Sequence, residues 1–100
     1  MLTENKSNNM FIILLTYTKP MAVIEKHLTA HRAFLDVGYQ KNYFIASGPQ
    51  KPRTGGVIIS QLTDQGELDA ILAQDPFQQH QVADYQVIEF SPVKYHSDFA

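Results

Sequence analysis

The sequence predicts an α+β domain of the ferredoxin-like type, in which a four-stranded antiparallel sheet carries two helices on one face. The first observation is the order of segments, β-α-β-β-α-β, given by short apolar runs that alternate with segments of helical periodicity. The second is that the most continuous apolar runs fall on the first and third strands. Those strands are central in this topology, and right-handed crossovers place both helices on the same side.

The first strand and the first helix follow from a change in periodicity. Residues 10–15 are continuously apolar and rich in β-branched and aromatic side chains, which is typical of a strand buried on both faces. Residues 20–37 have helical spacing, with Thr18 as a plausible N-cap and Gly38 as a natural C-terminal stop. The inward stripe of this helix contains Ile24, Leu28, His31 and Leu35.

The middle of the chain supplies the second and third strands, residues 43–46 and 57–60. Ser47-Gly48-Pro49 closes the second strand, and residues 50–56 form a polar loop that we expect to be flexible. Gly55-Gly56, at the end of this loop, lacks the spacing and the following helix of a phosphate-binding loop. We therefore interpret the glycine pair as a turn.

The second helix begins at a capping box, because Asp64 and Glu67 are three residues apart, and it runs to about Gln74. Pro76 should end it, which leaves Asp75 at the inward end of the helix, where the helix dipole disfavours a carboxylate. Such an acid needs a partner or a task, although it could also cap a local turn ahead of the proline.

The fourth strand covers residues 82–90, but its alternation is imperfect. Tyr85 and Val87 are in phase with each other, whereas Ile88 and Phe90 are not. A β-bulge or burial on both faces would each explain this pattern.

Composition limits the classes of function. The 100 residues carry a net charge of −2 with neutral histidines and contain no cysteine, which excludes disulfides, thiolate metal sites and a cysteine nucleophile. No basic patch indicates a nucleic-acid partner, and no apolar run is long enough to span a membrane. The polar residues 1–9 lack the apolar core of a signal peptide, so a cytoplasmic protein is the default expectation. We expect residues 1–9 to be a disordered or loosely held extension, residues 10–93 to form the domain and residues 94–100 a tail.

His31 and Asp75 are the main candidates for chemistry. Both lie on inward stripes of helices that cover the same face of the sheet, so their side chains could meet beneath those helices. A carboxylate that accepts one ring N–H leaves the other imidazole nitrogen free as a general base or acid. The alternative is a buried pair that only satisfies itself, and spacing alone favours that interpretation.

Other candidates carry weaker signals. His27 and His31 have the helical spacing of metal ligands, but no third ligand is evident and we predict no metal. Ser47 could bind a substrate or simply belong to a turn. Arg53 could hold an anionic substrate or be solvated.

Four short motifs, in this order and spacing, resemble the YciI-like (YCII-related) family: Thr29 to Leu35 around His31, Ala46-Ser47-Gly48-Pro49 at a strand end, Gly55-Gly56 opening a strand, and Asp75-Pro76-Phe77 closing the second helix. The resemblance covers residues 10–92, and the residues before Met10 depart from the family pattern. It implies a dimeric α+β barrel, a His-Asp active site at His31 and Asp75, and no bound cofactor. The substrate would then contact Ser47, Gly48, Pro49, Arg53 and Phe77.

The leading hypothesis is a small cofactor-independent enzyme in which the His31–Asp75 dyad performs a lyase or isomerase step on a small polar molecule such as a ring compound. The alternatives are a binding or sensing module with the same pocket and a purely structural dimer domain. A homodimer is expected because two helices cover only one face of a sheet whose central strands are apolar on both sides. The expected partners are therefore a second copy and a small molecule, without nucleic acid or membrane.

Overall fold

The computed structural model describes residues 9–97 and has four strands and three helices in that range. In chain order they are β1 (Met10–Tyr17), α1 (Met21–Gln40), β2 (Phe44–Pro49), β3 (Gly55–Ser60), α2 (Gln65–Leu72), α3 (Pro76–Gln79) and β4 (Ala83–Phe90). The strands form one antiparallel sheet in the order β2-β3-β1-β4. The predicted ferredoxin-like α+β fold is confirmed, with β1 and β3 in the centre.

Successive residues of β1 face opposite sides of the sheet. Phe11, Ile13 and Leu15 are buried and belong to the hydrophobic core. The core also contains buried residues of both long helices, β3 and α3: Ile24, Ile58, Leu68, Leu72 and Phe77. The core therefore lies between the sheet and the helices, as the two-layer arrangement requires.

The other side of the sheet, called the open face here, is also apolar. Ile12 pairs with Ile59 of β3 on one side and with Ile88 of β4 on the other. The register of β1 and β4 runs without a shift from Met10 opposite Phe90 to Tyr17 opposite Ala83, so β4 has no bulge. The out-of-phase Ile88 and Phe90 lie on the open face, where they are 39% and 41% exposed.

Helix α1 differs from its prediction at both ends. Thr18 is not its N-cap, because Pro20 occupies that position without a side-chain hydrogen bond, while the Thr18 hydroxyl donates to the Gln81 carbonyl. Gly38 does not stop the helix, which continues to Gln40. A Cβ at Gly38 would lie 2.2 Å from the ring of Phe44, so the glycine allows β2 to approach the helix closely.

Strands β2 and β3 are longer than predicted, since Ser47, Gly48 and Pro49 belong to β2 and Gly55-Gly56 opens β3. The interpretation of the glycine pair as a turn was therefore wrong. A Cβ at Gly55 would lie 1.7 Å from the Leu15 carbonyl oxygen, so the residue is needed where the two backbones meet. The connecting loop is held by hydrogen bonds, including Tyr17 N–H to the Thr54 carbonyl at 2.9 Å.

The predicted start of α2 is confirmed, because the Asp64 carboxylate accepts from the Glu67 N–H at 2.8 Å. The predicted end at Gln74 was wrong, since α2 stops at Leu72. Pro76 instead occupies the first turn of α3, where its missing N–H costs no hydrogen bond, and Asp75 is the N-cap of this short helix. The inward acid therefore belongs to the start of a new helix and not to the end of α2.

At the margins of the described range, the Asn9 side chain contacts Glu89 and Ser91 by hydrogen bonds of 2.6 and 2.7 Å. The rest of the predicted extension, residues 1–8, and residues 98–100 of the predicted tail lie outside the described residues. No helix within residues 9–97 has the length and apolar character needed to cross a bilayer.

Candidate functional site

His31 of α1 and Asp75 at the start of α3 form a hydrogen-bonded pair. The His31 Nδ1 atom lies 2.7 Å from Asp75 Oδ1, although the residues are 44 positions apart. Asp75 is fully buried and His31 is 8% exposed. A buried carboxylate is costly unless its oxygens accept hydrogen bonds, so this contact is a condition for placing Asp75 in the interior.

Two further donors complete the surroundings of the Asp75 carboxylate. The Phe77 N–H donates to Oδ1 at 3.0 Å, and the Tyr85 hydroxyl donates to Oδ2 at 2.5 Å. Because an ionised carboxylate only accepts hydrogen bonds, the His31 proton lies on Nδ1. In the neutral ring Nε2 then carries a lone pair and can accept a proton.

The second ring nitrogen of His31 is not fully buried. Among residues 9–97, no buried side-chain nitrogen or oxygen lacks a hydrogen-bond partner. His31 Nε2 has no such partner in this range, so it is accessible to solvent. His31 also lines a cleft of about 590 Å³, which gives the base access to a small molecule.

Phe77 fixes the plane of the His31 ring. The two rings stack with centroids 4.0 Å apart and an angle of 6° between their planes. Tyr17 supports Phe77 from the edge, at a centroid distance of 6.1 Å. The hydrogen bond to Asp75 and this stack together restrict the imidazole to one orientation.

The cleft brings together all the residues predicted to contact substrate. Its lining includes His31 and the predicted set of Ser47, Gly48, Pro49, Arg53 and Phe77. Ser47 and Arg53 are exposed, and Phe77 is buried with its face against His31. Asp75 does not line the cleft but lies behind the His31 ring, where it can act only through the imidazole.

The sequence interpretation missed three polar residues of the cleft, namely Arg32, Asp36 and Tyr39. All three belong to α1, on the turns that follow His31. The Tyr39 hydroxyl is 2.6 Å from Ser47 Oγ, which links the end of α1 to β2 across one end of the cleft. Their spacing from one another was the available signal, since Arg32, Asp36 and Tyr39 are four and three positions apart and therefore share a helix face.

Tyr85 of β4 was also missed as a site residue. Burial, then the negative charge of Asp75, then the hydrogen bond to it raise the pKa of Tyr85 far above its usual value. The hydroxyl therefore stays protonated and remains a donor at any ordinary pH. Its in-phase position with Val87 on β4 was the signal that it points toward the helices.

His27 does not join His31 in a site. Its ring stacks on that of His80, the C-cap of α3, with centroids 4.1 Å apart. The part of the chain from Asn9 to Ser97 contains no group of three or more histidine or acidic side chains placed to hold a metal ion.

The strand order and the cleft histidine define a small ferredoxin-like α+β domain with an acid-oriented imidazole. The chain belongs to the YCII-related domain family, whose sequence pattern matches residues 10–91. The resemblance suggested by the four motifs is thus confirmed. No curated protein matches the sequence.

Two solved structures are similar to this chain. The first is 5-chloro-2-hydroxyhydroquinone dehydrochlorinase from Burkholderia phenoliruptrix AC1100, in complex with 2,5-dihydroxybenzoquinone, at a TM-score of 0.66 and 22% identity over 81% of this chain and 90% of that one. The second is a mutant of a cofactor-independent oxygenase from Streptomyces nogalater, at a TM-score of 0.47 and 18% identity over 85% of this chain and 92% of that one. At 22% identity and a TM-score of 0.66, the likeness to the dehydrochlorinase is one of fold alone.

Proposed function

We propose that this protein is a small cofactor-independent enzyme that uses His31 as a general base and acid on a small polar molecule such as a ring compound. One observation carries the proposal: Nδ1 of His31 is hydrogen-bonded to a buried carboxylate, and the same residue lines a cleft of about 590 Å³. This is the arrangement in which a carboxylate fixes the tautomer of a catalytic histidine.

The chemistry needs one proton shuttle. Nε2 of His31 takes a proton from a substrate carbon, and the released electron pair forms a double bond within the substrate. A lyase step follows when that pair expels a leaving group, and an isomerase step follows when the imidazolium returns the proton to a different atom. Asp75 stabilises the imidazolium in either case, because its carboxylate is already hydrogen-bonded to the ring.

The remaining residues of the cleft have binding roles in this proposal. Ser47 and Arg53 contact polar groups of the substrate, Gly48 and Pro49 shape the wall formed by β2, and Phe77 holds the His31 ring. The dehydrochlorinase of similar fold was solved with 2,5-dihydroxybenzoquinone, which supports a ligand of that kind by analogy of fold.

The activity can be tested in two stages. A library of small metabolites is first screened for compounds that raise the melting temperature, because a ligand that binds only the folded state stabilises it. Hits are then assayed for conversion by the wild-type protein and by His31→Asn. We expect conversion to fall by about 10²–10⁴-fold in the variant, the usual contribution of a general base.

His27→Asn is the matched control, since His27 is on the same helix but stacks on His80. Conversion should be unchanged in that variant. Binding without any conversion by the wild-type protein would support the alternative of a ligand-binding or sensing module. Equal conversion by wild type and His31→Asn would contradict the proposed role of His31.

We also propose a homodimer joined through the open face. Ile12, Ile59 and Ile88 form an apolar row across three strands of that face, and no described element covers it. A second copy would bury an area on the order of 1,600 Å² in a contact of standard size. The predicted domain limits, residues 10–93, and the predicted cytoplasmic location stay predictions.

Light scattering at micromolar concentration tests the dimer. Ile88→Lys should convert it to a monomer, because a charge would then face the partner. Ile88 is already 39% exposed in the single chain, so the substitution should not disturb its core. Asp69→Lys, at an exposed position of α2, is the control and should remain dimeric. A wild-type protein that scatters as a monomer would contradict the proposal.

A further inference from the structure

We infer that the ligand of this cleft is a small planar oxyanion with an apolar body, a carboxylate or an enolate, held by Arg32 and Arg53. The inference builds on the proposed function, since it concerns the substrate of the same cleft. It differs in that it specifies the charge of the molecule and two groups that recognise it.

Two arginines from different elements line the cleft. Arg32 comes from α1, directly after His31, and Arg53 comes from the loop between β2 and β3. Neither has an ion-pair partner among residues 9–97, where the His31–Asp75 contact is the single such pair between described residues. An unpaired arginine fork is suited to binding a carboxylate through two parallel hydrogen bonds.

The acidic groups near the cleft do not cancel this preference. Asp36 is the one carboxylate in the lining, against two arginines, in a chain whose net charge is −2. Asp75 adds a negative charge behind His31, but its oxygens already accept hydrogen bonds from His31, Phe77 and Tyr85. The side chains left to meet a ligand are therefore predominantly cationic.

The hydroxyl pair of Tyr39 and Ser47 adds one donor. The two oxygens are 2.6 Å apart, and one O–H is used in the bond between them. The other O–H remains available for a ligand, so the pair offers a donor at the end of the cleft. Arginine and hydroxyl donors together require a ligand rich in acceptor oxygens.

The rest of the wall requires an apolar body. Leu28, Leu35 and Ile58 line the cleft between the polar groups. The volume of about 590 Å³ lies within the range typical of small-molecule sites. Since Nε2 of His31 is a proton acceptor, the molecule carries its removable proton on an atom other than the oxyanion.

Benzoate and benzamide are suitable probes because they have the same size and differ in charge, and 2-hydroxybenzoate and 2-hydroxybenzamide form a second such pair. Binding is measured by titration of the amide signals in NMR spectra of the full-length protein at low salt. We expect each acid to bind about two- to fivefold more tightly than its amide. Binding of the acids should weaken as salt is added.

The variants Arg32→Gln and Arg53→Gln should each weaken binding of benzoate by about two- to fivefold, the usual range for a partly exposed ion pair. Lys51→Gln is the matched control, because it removes the same charge from the same loop at a position outside the cleft lining. Its affinity for benzoate should equal that of the wild-type protein.

Amides that bind as tightly as the acids would overturn the inference. So would a Lys51→Gln effect as large as that of Arg53→Gln, or the absence of binding by all four probes. These probes need no turnover. A failure of the acid-base proposal would appear instead as conversion that does not depend on His31, and it would leave the anion preference intact.

Discussion

His27 and His31 lie one turn apart on α1, and each contacts one end of the short helix α3. His31 meets the N-cap, Asp75, whereas His27 meets the C-cap, His80. The two rings therefore lie on nearly the same face of α1. Their partners differ, since one is an acid and the other a second base.

The partner determines what each histidine can do. The carboxylate of Asp75 fixes the tautomer of His31 and provides a counter-ion when the ring is protonated. For His27, partial desolvation, then the positive charge of His80, then that of Lys26 lower the pKa of the ring. Four residues of helix thus separate a ring suited to proton transfer from one whose protonation is opposed.

The largest effect is expected from removing Asp75, the acid that distinguishes the surroundings of His31 from those of His27. Asp75→Ala removes the buried carboxylate that accepts hydrogen bonds from His31, Phe77 and Tyr85. Because these donors are then left without a partner, we expect the free energy of unfolding to fall by about 3–5 kcal/mol. Chemical denaturation measures the change. Asp64→Ala is the control, because Asp64 is an exposed N-cap whose loss typically costs about 1 kcal/mol. Equal losses would mean that Asp75 is merely a cap.

The next effect concerns the donor to the second carboxylate oxygen. Tyr85→Phe should lower the free energy of unfolding by about 1.5–3 kcal/mol, the range for a hydrogen bond to a charged group. Tyr43→Phe is the control, as its hydroxyl has no hydrogen bond within the described chain, and it should change little. A negligible difference between the two variants would argue against the contact.

The Tyr85 contact also has a pH signature. Because the pKa of Tyr85 is raised from 10.0 on folding, its contribution is present below pH 10 and lost as the pH rises further. Unfolding of wild type and Tyr85→Phe should therefore converge on the alkaline side. Parallel pH curves would mean that Tyr85 ionises as freely in the folded protein as in the unfolded chain.

A double-mutant cycle compares the two histidine pairs directly. His31→Asn and Asp75→Asn should be coupled by about 0.5–3 kcal/mol in stability, because the survivor of either single change is left buried without its partner. The cycle on His27→Asn and His80→Asn, rings that stack in a more exposed position, should show a smaller coupling. Strict additivity at the first pair would mean that His31 and Asp75 do not interact.

The smallest expected effect is the contribution of His27 to the pH dependence of stability. Since the folded pKa of His27 lies below the unfolded value of 6.5, the unfolded chain binds more protons between the two values, and stability falls as the pH drops through this window. His27→Gln should lower this dependence when melting temperatures at about pH 7.5 and about pH 5.5 are compared. A variant as acid-sensitive as wild type would exclude His27 as a source of the effect.

The sheet could be predicted from sequence because its signals are local. The apolar runs at residues 10–15 and 57–59 mark the central strands, since those strands contribute side chains to both faces. The inward carboxylate of Asp75 could be recognised in the same way, as a charged residue on an apolar stripe. The contact with His31 followed from placing both helices on one side of the sheet.

The missed features depend on tertiary contacts. Helix α3 has four residues, too few for any periodicity, and its Pro76 looks like the end of α2. The contact between His27 and His80 is fixed by the direction in which α3 crosses α1, which no local pattern encodes. Glycine is typical of helix ends and turns, which is how Gly38 and Gly55 were interpreted, yet each is needed where another element approaches closely.

Helix α3 is too short to be stable on its own, so its order depends on the Asp75 cap and on the buried side chain of Phe77. A local opening of this segment would remove both from His31 while the sheet stays intact. The Phe77 N–H, which donates to the Asp75 carboxylate, would be freed by such an opening and would then exchange with solvent. Hydrogen exchange at that single amide therefore measures how much of the time the site is assembled, separately from the stability of the fold.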